Sequence, residues 1–207
     1  MRYSIAPRGR VMFPKGMQIY FFLHLGQSEG RVSFPQTVNF KDYIREVPDF
    51  PKPGVGFKDI TPLLAHPVAF RAAAGALLAF TDGLRVDKVV GIESRGFFFA
   101  PILAERLGAG FVPARKPGKL PHDKKRMDYD LEYGTDALEM HADGIAAGER
   151  VLVHDDVLAT GGTARAICGL VRELGGEVVQ VSFLIELAFL QGREKLTGLP
   201  VRSLMVY

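Results

Sequence analysis

The chain has 207 residues, 47% hydrophobic and 24% charged, enough for one well-cored domain and too few for two large ones. Its formal net charge of +3 originates in residues 1–37, where Arg2, Arg8, Arg10, Lys15 and Arg31 face only Glu29; the remainder is slightly acidic, which excludes a basic nucleic-acid-binding domain. The single cysteine, Cys168, excludes an intrachain disulfide, and the apolar stretch Met17–Leu25, broken by Gln18 and His24, is too short to span a membrane.

Residues 1–37 mix Arg, Gly, Pro and aromatics without a helical or strand period. They are expected to be an atypical extension, disordered or the product of a mis-called start, with the domain proper over 38–207 and Val38 as a candidate non-Met start. Phe40–Val47 has helical spacing and stops at Pro48. After a turn-rich stretch to Gly56, Pro67 suits the first position of an Ala-rich helix to about Phe80. Lys88–Ile92 reads as a short buried strand, and Phe97–Leu107 as an apolar helix whose start Pro101 bends or delays. Gly110–Ala114 is a strand. Lys116–Asp130, charged and punctuated by Pro and Gly, reads as a long mobile loop, with Tyr133–Met140 able to pair with it as a hairpin strand. Arg150–His154, Glu177–Glu186 and Val201–Val206 are further strands, and Ala164–Leu174 is a helix between the first two. This alternation predicts an α/β fold, a parallel sheet with helices on both faces. Ligands bind such sheets at the carboxyl ends of the strands, where Glu93, Asp155 and Asp156 fall.

The most informative stretch is Val151–Ala166, VLVHDDVLATGGTARA. An apolar strand runs into two adjacent carboxylates, then into the small-residue loop Ala159-Thr160-Gly161-Gly162-Thr163, then into a helix. Glycines let the backbone approach an anion, the threonines offer hydroxyls and a helix cap, and the first helical turn presents free N–H groups. Two carboxylates beside this loop would repel a bare triphosphate. A ribose 5-phosphate satisfies both features, its phosphate in the loop and its 2′ and 3′ hydroxyls donating to Asp155 and Asp156. Other phosphate loops are excluded. Gly118-Lys119 is followed by Leu120 and preceded five positions back by Pro113, so no G-x-x-x-x-G-K-[ST] is present; Gly54-Val55-Gly56 and Gly108-Ala109-Gly110 do not continue as G-x-G-x-x-G. Cys168, in the helix after the loop, reads as a core filler, and His154 as a satisfied strand-end histidine; Lys124-Lys125-Arg126 reads as a solvated face, and His122 is a modest candidate.

Val151–Ala166 resembles the phosphoribosyl pyrophosphate (PRPP) motif of type I phosphoribosyltransferases. Pro48–Ile60 (PDFPKPGVGFKDI), Gly91–Phe97 (GIESRGF), Arg115–Pro121 (RKPGKLP), Tyr129–Gly134 (YDLEYG), and Glu186-Leu187 with Gly192–Leu196 (GREKL) narrow the resemblance to the adenine phosphoribosyltransferase family. The likeness runs from about Asn39 to Tyr207. It implies the type I fold with a small N-terminal hood and a mobile loop, and transfer of phosphoribose from PRPP to adenine, giving AMP and pyrophosphate. It implies that Asp155 and Asp156 hold ribose hydroxyls and that Ala159, Thr160, Gly161, Gly162 and Thr163 hold the 5′-phosphate. Glu93, Ser94 and Arg95 would form a pyrophosphate loop, often with a cis peptide at Glu93-Ser94, and Arg115, Lys116 and Lys119 would stabilise the departing pyrophosphate. Gly56, Phe57 and Lys58 would form the hood over the base, Val157 and Leu158 would line its other side, and Glu132 would assist proton movement or the oxocarbenium-like sugar, covered by Tyr133. Gly56 departs from the larger apolar residue often found in the hood, and His154 from the aliphatic residue expected before the acidic pair. The resemblance further implies Mg²⁺ held mainly by PRPP and water rather than by protein ligands, a cytoplasmic homodimer, and neither nucleic-acid nor membrane partners. A hypoxanthine/guanine or xanthine phosphoribosyltransferase, and a PRPP-sensing regulator without catalysis, remain as alternatives that a base-by-base assay separates.

Overall fold

The architecture is taken from a computed structural model that describes residues 38–130 and 135–207. Five strands form one parallel sheet: β3 (Lys88–Ile92), β4 (Gly110–Ala114), β7 (Arg150–Leu158), β8 (Glu177–Glu186) and β9 (Val201–Val206), side by side in the order β4-β3-β7-β8-β9. Their apolar runs predict burial on both faces. β7 shows how this works: Val151 and Val153 enter one core with Ile167, Leu170 and Val171 of α4 (Gly162–Glu173), whereas Leu152 enters the opposite core. That second core packs the sheet against α1 (Thr61–Ala65), α2 (Pro67–Ala79) and α3 (Ala100–Leu107) through Leu63, Ala69, Ala73, Leu77, Phe99 and Leu103. Pro67 opens α2 as expected, and Pro101 delays α3, so that a 3-10 turn over Arg95–Phe98 precedes it.

Two small antiparallel pairs flank the sheet. β1 (Arg45–Val47) pairs with β2 (Phe57–Asp59), Val47 opposite Phe57. β5 (Lys124–Asp130) pairs with β6 (Thr135–His141), Lys124 opposite His141.

Three expectations are corrected here. Phe40–Val47 is not one helix but a 3-10 turn, Phe40–Tyr43, followed by β1; pairing with β2 offers Arg45–Val47 backbone partners that an eight-residue isolated helix could not match. The segment 124–130 is strand, not loop: Met127 and Tyr129 pack on the α4-side core while Arg126 and Asp128 point to solvent, a period of two hidden by the charge around it. β7 does not end before the acidic pair but continues through it to Leu158, because β8 is long enough to pair Val157 with Ile185 and Leu158 with Glu186. The expected extension over residues 1–37 lies outside the described residues.

Candidate active site

The sheet order reverses direction between β3 and β7: the chain goes from β3 outward to β4, then returns to β7 on the other side of β3. A crevice forms at the carboxyl ends of the strands at such a switch. Here it is a cleft of about 340 Å³ whose walls include Glu93, Ser94 and Arg95 after β3, Asp155, Asp156 and Val157 on β7, and Ala159 and Thr163 in the loop behind them. Lys116, Tyr129 and Leu138 close one side.

The acidic pair is crowded. Asp155 Oδ1 accepts from the Asp156 N–H at 2.9 Å, and Asp156, only 4% exposed, places Oδ2 2.7 Å from Arg95 Nε in an ion pair. Burial, then the neighbouring Asp156 charge, pushes the Asp155 pKa well above the usual carboxylate range. Burial also raises Asp156, against the opposing pull of Arg95. The Arg95 guanidinium lies 4.8 Å from the centroid of the Phe57 ring, so the hood strand β2 and the acidic pair meet through one side chain. The turn carrying Arg95 sits directly on β7: a Cβ at Gly96 would stand 2.9 Å from the His154 carbonyl oxygen and 3.1 Å from Asp155 Oδ1.

The Glu93–Ser94 peptide is cis. Glu93 gathers the cations expected around a pyrophosphate: Lys119 Nζ donates at 2.6 Å, the Lys116 N–H at 3.0 Å and Arg115 Nε at 3.3 Å. Burial raises its pKa, but those hydrogen bonds prevail and hold it at about 2. Lys116 Nζ turns instead to the Asp136 carboxylate and the Tyr129 hydroxyl, which raise its pKa against the effect of burial. Arg115 and Lys119 therefore rest on Glu93, and of the three cations Lys116 lines the cleft.

The loop after β7 enters α4 with Gly161 as N-cap in the left-handed region (φ 78°) and no side chain capping the helix. The expected threonine cap is thus not made, leaving the first N–H groups of α4 without a side-chain acceptor, the arrangement that suits an anion. Leu158 corrects another expectation: it is 1% exposed and belongs to the core, because along a strand it points opposite to Val157, which does line the cleft. Lys58 of the hood pairs with Glu46 at 2.9 Å and lies 4.4 Å from the Tyr207 ring centroid. Glu132 and Tyr133 lie outside the described residues.

His154 is buried with Nδ1 2.9 Å from Ser182 Oγ and its ring edge-on to Phe99; burial pushes its pKa down to about 3, so it is a neutral packing residue. Burial pushes the Cys168 thiol up to about 12, which makes it an inert core filler. Lys124, Lys125 and Arg126 each face a carboxylate, from Glu139, Glu173 and Asp128. Sequence reasoning missed Tyr129 and Asp136, which hold Lys116, and the buried Glu139, which accepts from the Gly118 N–H at 3.1 Å. The alternation in 125–129 was the available signal for the first; nothing local marks the other two.

Comparisons agree with this geometry. The family model described as Phosphoribosyl transferase domain matches residues 61–200. The adenine phosphoribosyltransferase of Christiangramia forsetii is 59% identical over 170 residues, covering 82% of this chain and 99% of that relative. The crystal structure of the Rhodothermus marinus adenine phosphoribosyltransferase is 56% identical with a TM-score of 0.78, covering 81% of this chain and 96% of that one. That of Saccharomyces cerevisiae, complexed with adenine and an imino-altritol bisphosphate, is 40% identical with a TM-score of 0.75 over 80% and 96%. The chain belongs to the phosphoribosyl transferase family and, within it, to the adenine phosphoribosyltransferases.

Proposed function

We infer that the chain transfers the 5-phosphoribosyl group of PRPP to adenine, releasing AMP and pyrophosphate. The observation that carries this reading is the convergence, at the switch between β3 and β7, of a buried carboxylate pair with an uncapped Gly-rich helix start and the cations Arg95 and Lys116. The relative from Saccharomyces cerevisiae, solved with adenine bound, supports the base. Asp155 and Asp156 accept hydrogen bonds from the ribose 2′ and 3′ hydroxyls, and residues Ala159 to Thr163 take the 5′-phosphate. Ser94, Arg95 and Lys116 face the pyrophosphate, while Glu93 sets the positions of Arg115 and Lys119. As the bond from ribose C1 to pyrophosphate breaks, positive charge grows on the sugar and negative charge on the leaving group. Arg95 and Lys116 stabilise the second. The purine nitrogen that carries the sugar in AMP then bonds to C1 and gives up its proton. Phe57 and Val157 flank the base, and Glu132 and Tyr133 are assigned to it by family likeness.

Among the described residues no three His, Cys, Asp or Glu side chains group to hold a metal ion. If Mg²⁺ enters with PRPP, the cleft carboxylates Asp155 and Asp156 would meet it through the ribose hydroxyls and water rather than as direct ligands, and it would screen pyrophosphate charge. The assembly is read as a homodimer: Phe98 and Phe111 are exposed, with Phe97 edge-on to Phe111 at 5.8 Å, an apolar face of the kind a second copy covers. Cytoplasmic location is the matching proposal for a salvage enzyme whose one cysteine is an unpaired thiol, and fractionation of producing cells tests it.

The deciding experiment is turnover with Mg²⁺, PRPP and each purine base. Adenine is expected to be used at least about a hundred-fold better than hypoxanthine or guanine, since a site paired to one polar edge rejects its mismatch. Comparable use of guanine would overturn the base assignment, and no nucleotide from any base would overturn the catalytic one.

A further inference from the structure

The block Glu186 to Leu196 identifies the family yet contributes no side chain to the cleft. Its backbone, however, touches the phosphate loop. A Cβ placed on Gly161 would stand 2.2 Å from the carbonyl oxygen of Gly192, and one placed on Gly192 would stand 2.1 Å from the carbonyl oxygen of Ala159. Real side-chain carbons do not approach so closely, so the two backbones meet with no space for any side chain between them. Gly192 is buried there.

What holds Gly192 in place is a set of polar contacts behind it. Arg193 donates through Nε to Glu186 Oε1 at 3.0 Å, through Nη2 to Glu186 Oε2, and through Nη1 to the Val201 carbonyl at 3.0 Å. Ser203 Oγ adds a 2.6 Å hydrogen bond to the same carboxylate. Glu186 ends β8 and is buried, and its pKa is held down mainly by Arg193. The next residue, Leu187, donates its N–H to the Leu158 carbonyl at 2.9 Å, immediately before the phosphate loop. Downstream, Leu196 is buried in the α4-side core. The loop is thus fixed at its entry by Leu187 and backed at Ala159 and Gly161 by Gly192.

We propose that Gly192 and the Arg193–Glu186 pair are positioning residues for PRPP: they buttress the loop Ala159–Thr163 so that its N–H groups are pre-aimed at the 5′-phosphate. A preformed anion site loses no free energy to ordering when the ligand arrives, and a displacement near 1 Å costs on the order of a hundred-fold in a well-oriented site. The proposal rests on the reading of that loop as the phosphate site.

The test compares Gly192→Ala, Arg193→Met and Arg193→Lys with Thr163→Val, a direct change in the loop, in steady-state kinetics and in calorimetric titration of PRPP with Mg²⁺. Gly192→Ala and Arg193→Met are expected to raise KM and Kd for PRPP at least about ten-fold, with KM for adenine within about two-fold of wild type. Arg193→Lys, which keeps the charge and one hydrogen bond, recovers part of that loss. Arg193→Met introduces no backbone overlap and gives the answer even if Gly192→Ala does not fold. If Thr163→Val weakens PRPP while Arg193→Met only lowers Tm, the buttress is overturned and the loop reading stands. If Thr163→Val and Arg193→Met both leave PRPP affinity unchanged, the loop reading falls and the buttress with it.

Discussion

Asp155 and Asp156 stand close together in a half-closed cleft, and burial raises both pKa values, with the Asp156 charge adding to the rise at Asp155. A group whose pKa is higher folded than unfolded favours folding most when protonated, below the unfolded value, and that advantage is lost as pH rises through the folded value. Ionisation of the pair therefore weakens the fold, and the ribose hydroxyls proposed to bind there would offset that by donating to the carboxylates. PRPP affinity should increase as pH rises through the titration of the pair. Asp155→Asn and Asp156→Asn should each weaken PRPP roughly ten- to hundred-fold, the worth of a hydrogen bond to a charged acceptor being about 1.5–3 kcal/mol. Asp155→Asn should at the same time raise Tm at neutral pH. Titration calorimetry across pH and thermal melts check both; wild-type PRPP affinity in the two variants would remove the ribose assignment. The sequence identified these two residues because adjacent carboxylates after an apolar run are conspicuous. It did not show that Arg95 reaches one of them, which depends on Gly96 allowing the turn after β3 to lie flat on β7.

At the level of elements, Glu93 joins the end of β3 to the chain following β4 through Arg115, Lys116 and Lys119. With its pKa at about 2 against an ordinary 4.5, its contribution is fully present above pH 4.5 and is lost as pH falls toward 2. The shift corresponds to at most about 3 kcal/mol, less after solvent screening because Lys119 is half exposed. Glu93→Gln should lower Tm at neutral pH, with the gap to wild type closing between pH 4.5 and 2; a gap independent of pH would mean that Glu93 is not held as an ionised anchor. Strands β3, β4, β8 and β9 were legible to the residue, since short apolar runs bounded by turns and helices have few other readings. β1 and β5 were not. Each is polar, pairs with a single partner, and takes its structure from that partner rather than from its own composition.

For the whole molecule, residues 38–207 are proposed as the catalytic domain. The Christiangramia forsetii relative is matched over 99% of its own length by 82% of this chain, 170 residues. A protein starting at Val38 should fold, sediment as a dimer and retain adenine turnover. Aggregation or loss of turnover would make residues 1–37 part of the fold, and a monomer would remove the dimer assignment. The sequence by itself determined the alternating α/β order, the fall of Glu93, Asp155 and Asp156 at the carboxyl ends of strands, and the Gly-rich turn into a helix after the acidic pair, because each rests on a local pattern of apolar run, turn and helix start. Only the tertiary structure decided which cations face the cleft and which rest on Glu93, that Leu158 is core while Val157 is wall, and that Gly192 lies against Ala159 and Gly161. Those facts depend on distances between residues far apart in the chain, such as Arg95 with Asp156 and Gly161 with Gly192, which packing alone sets.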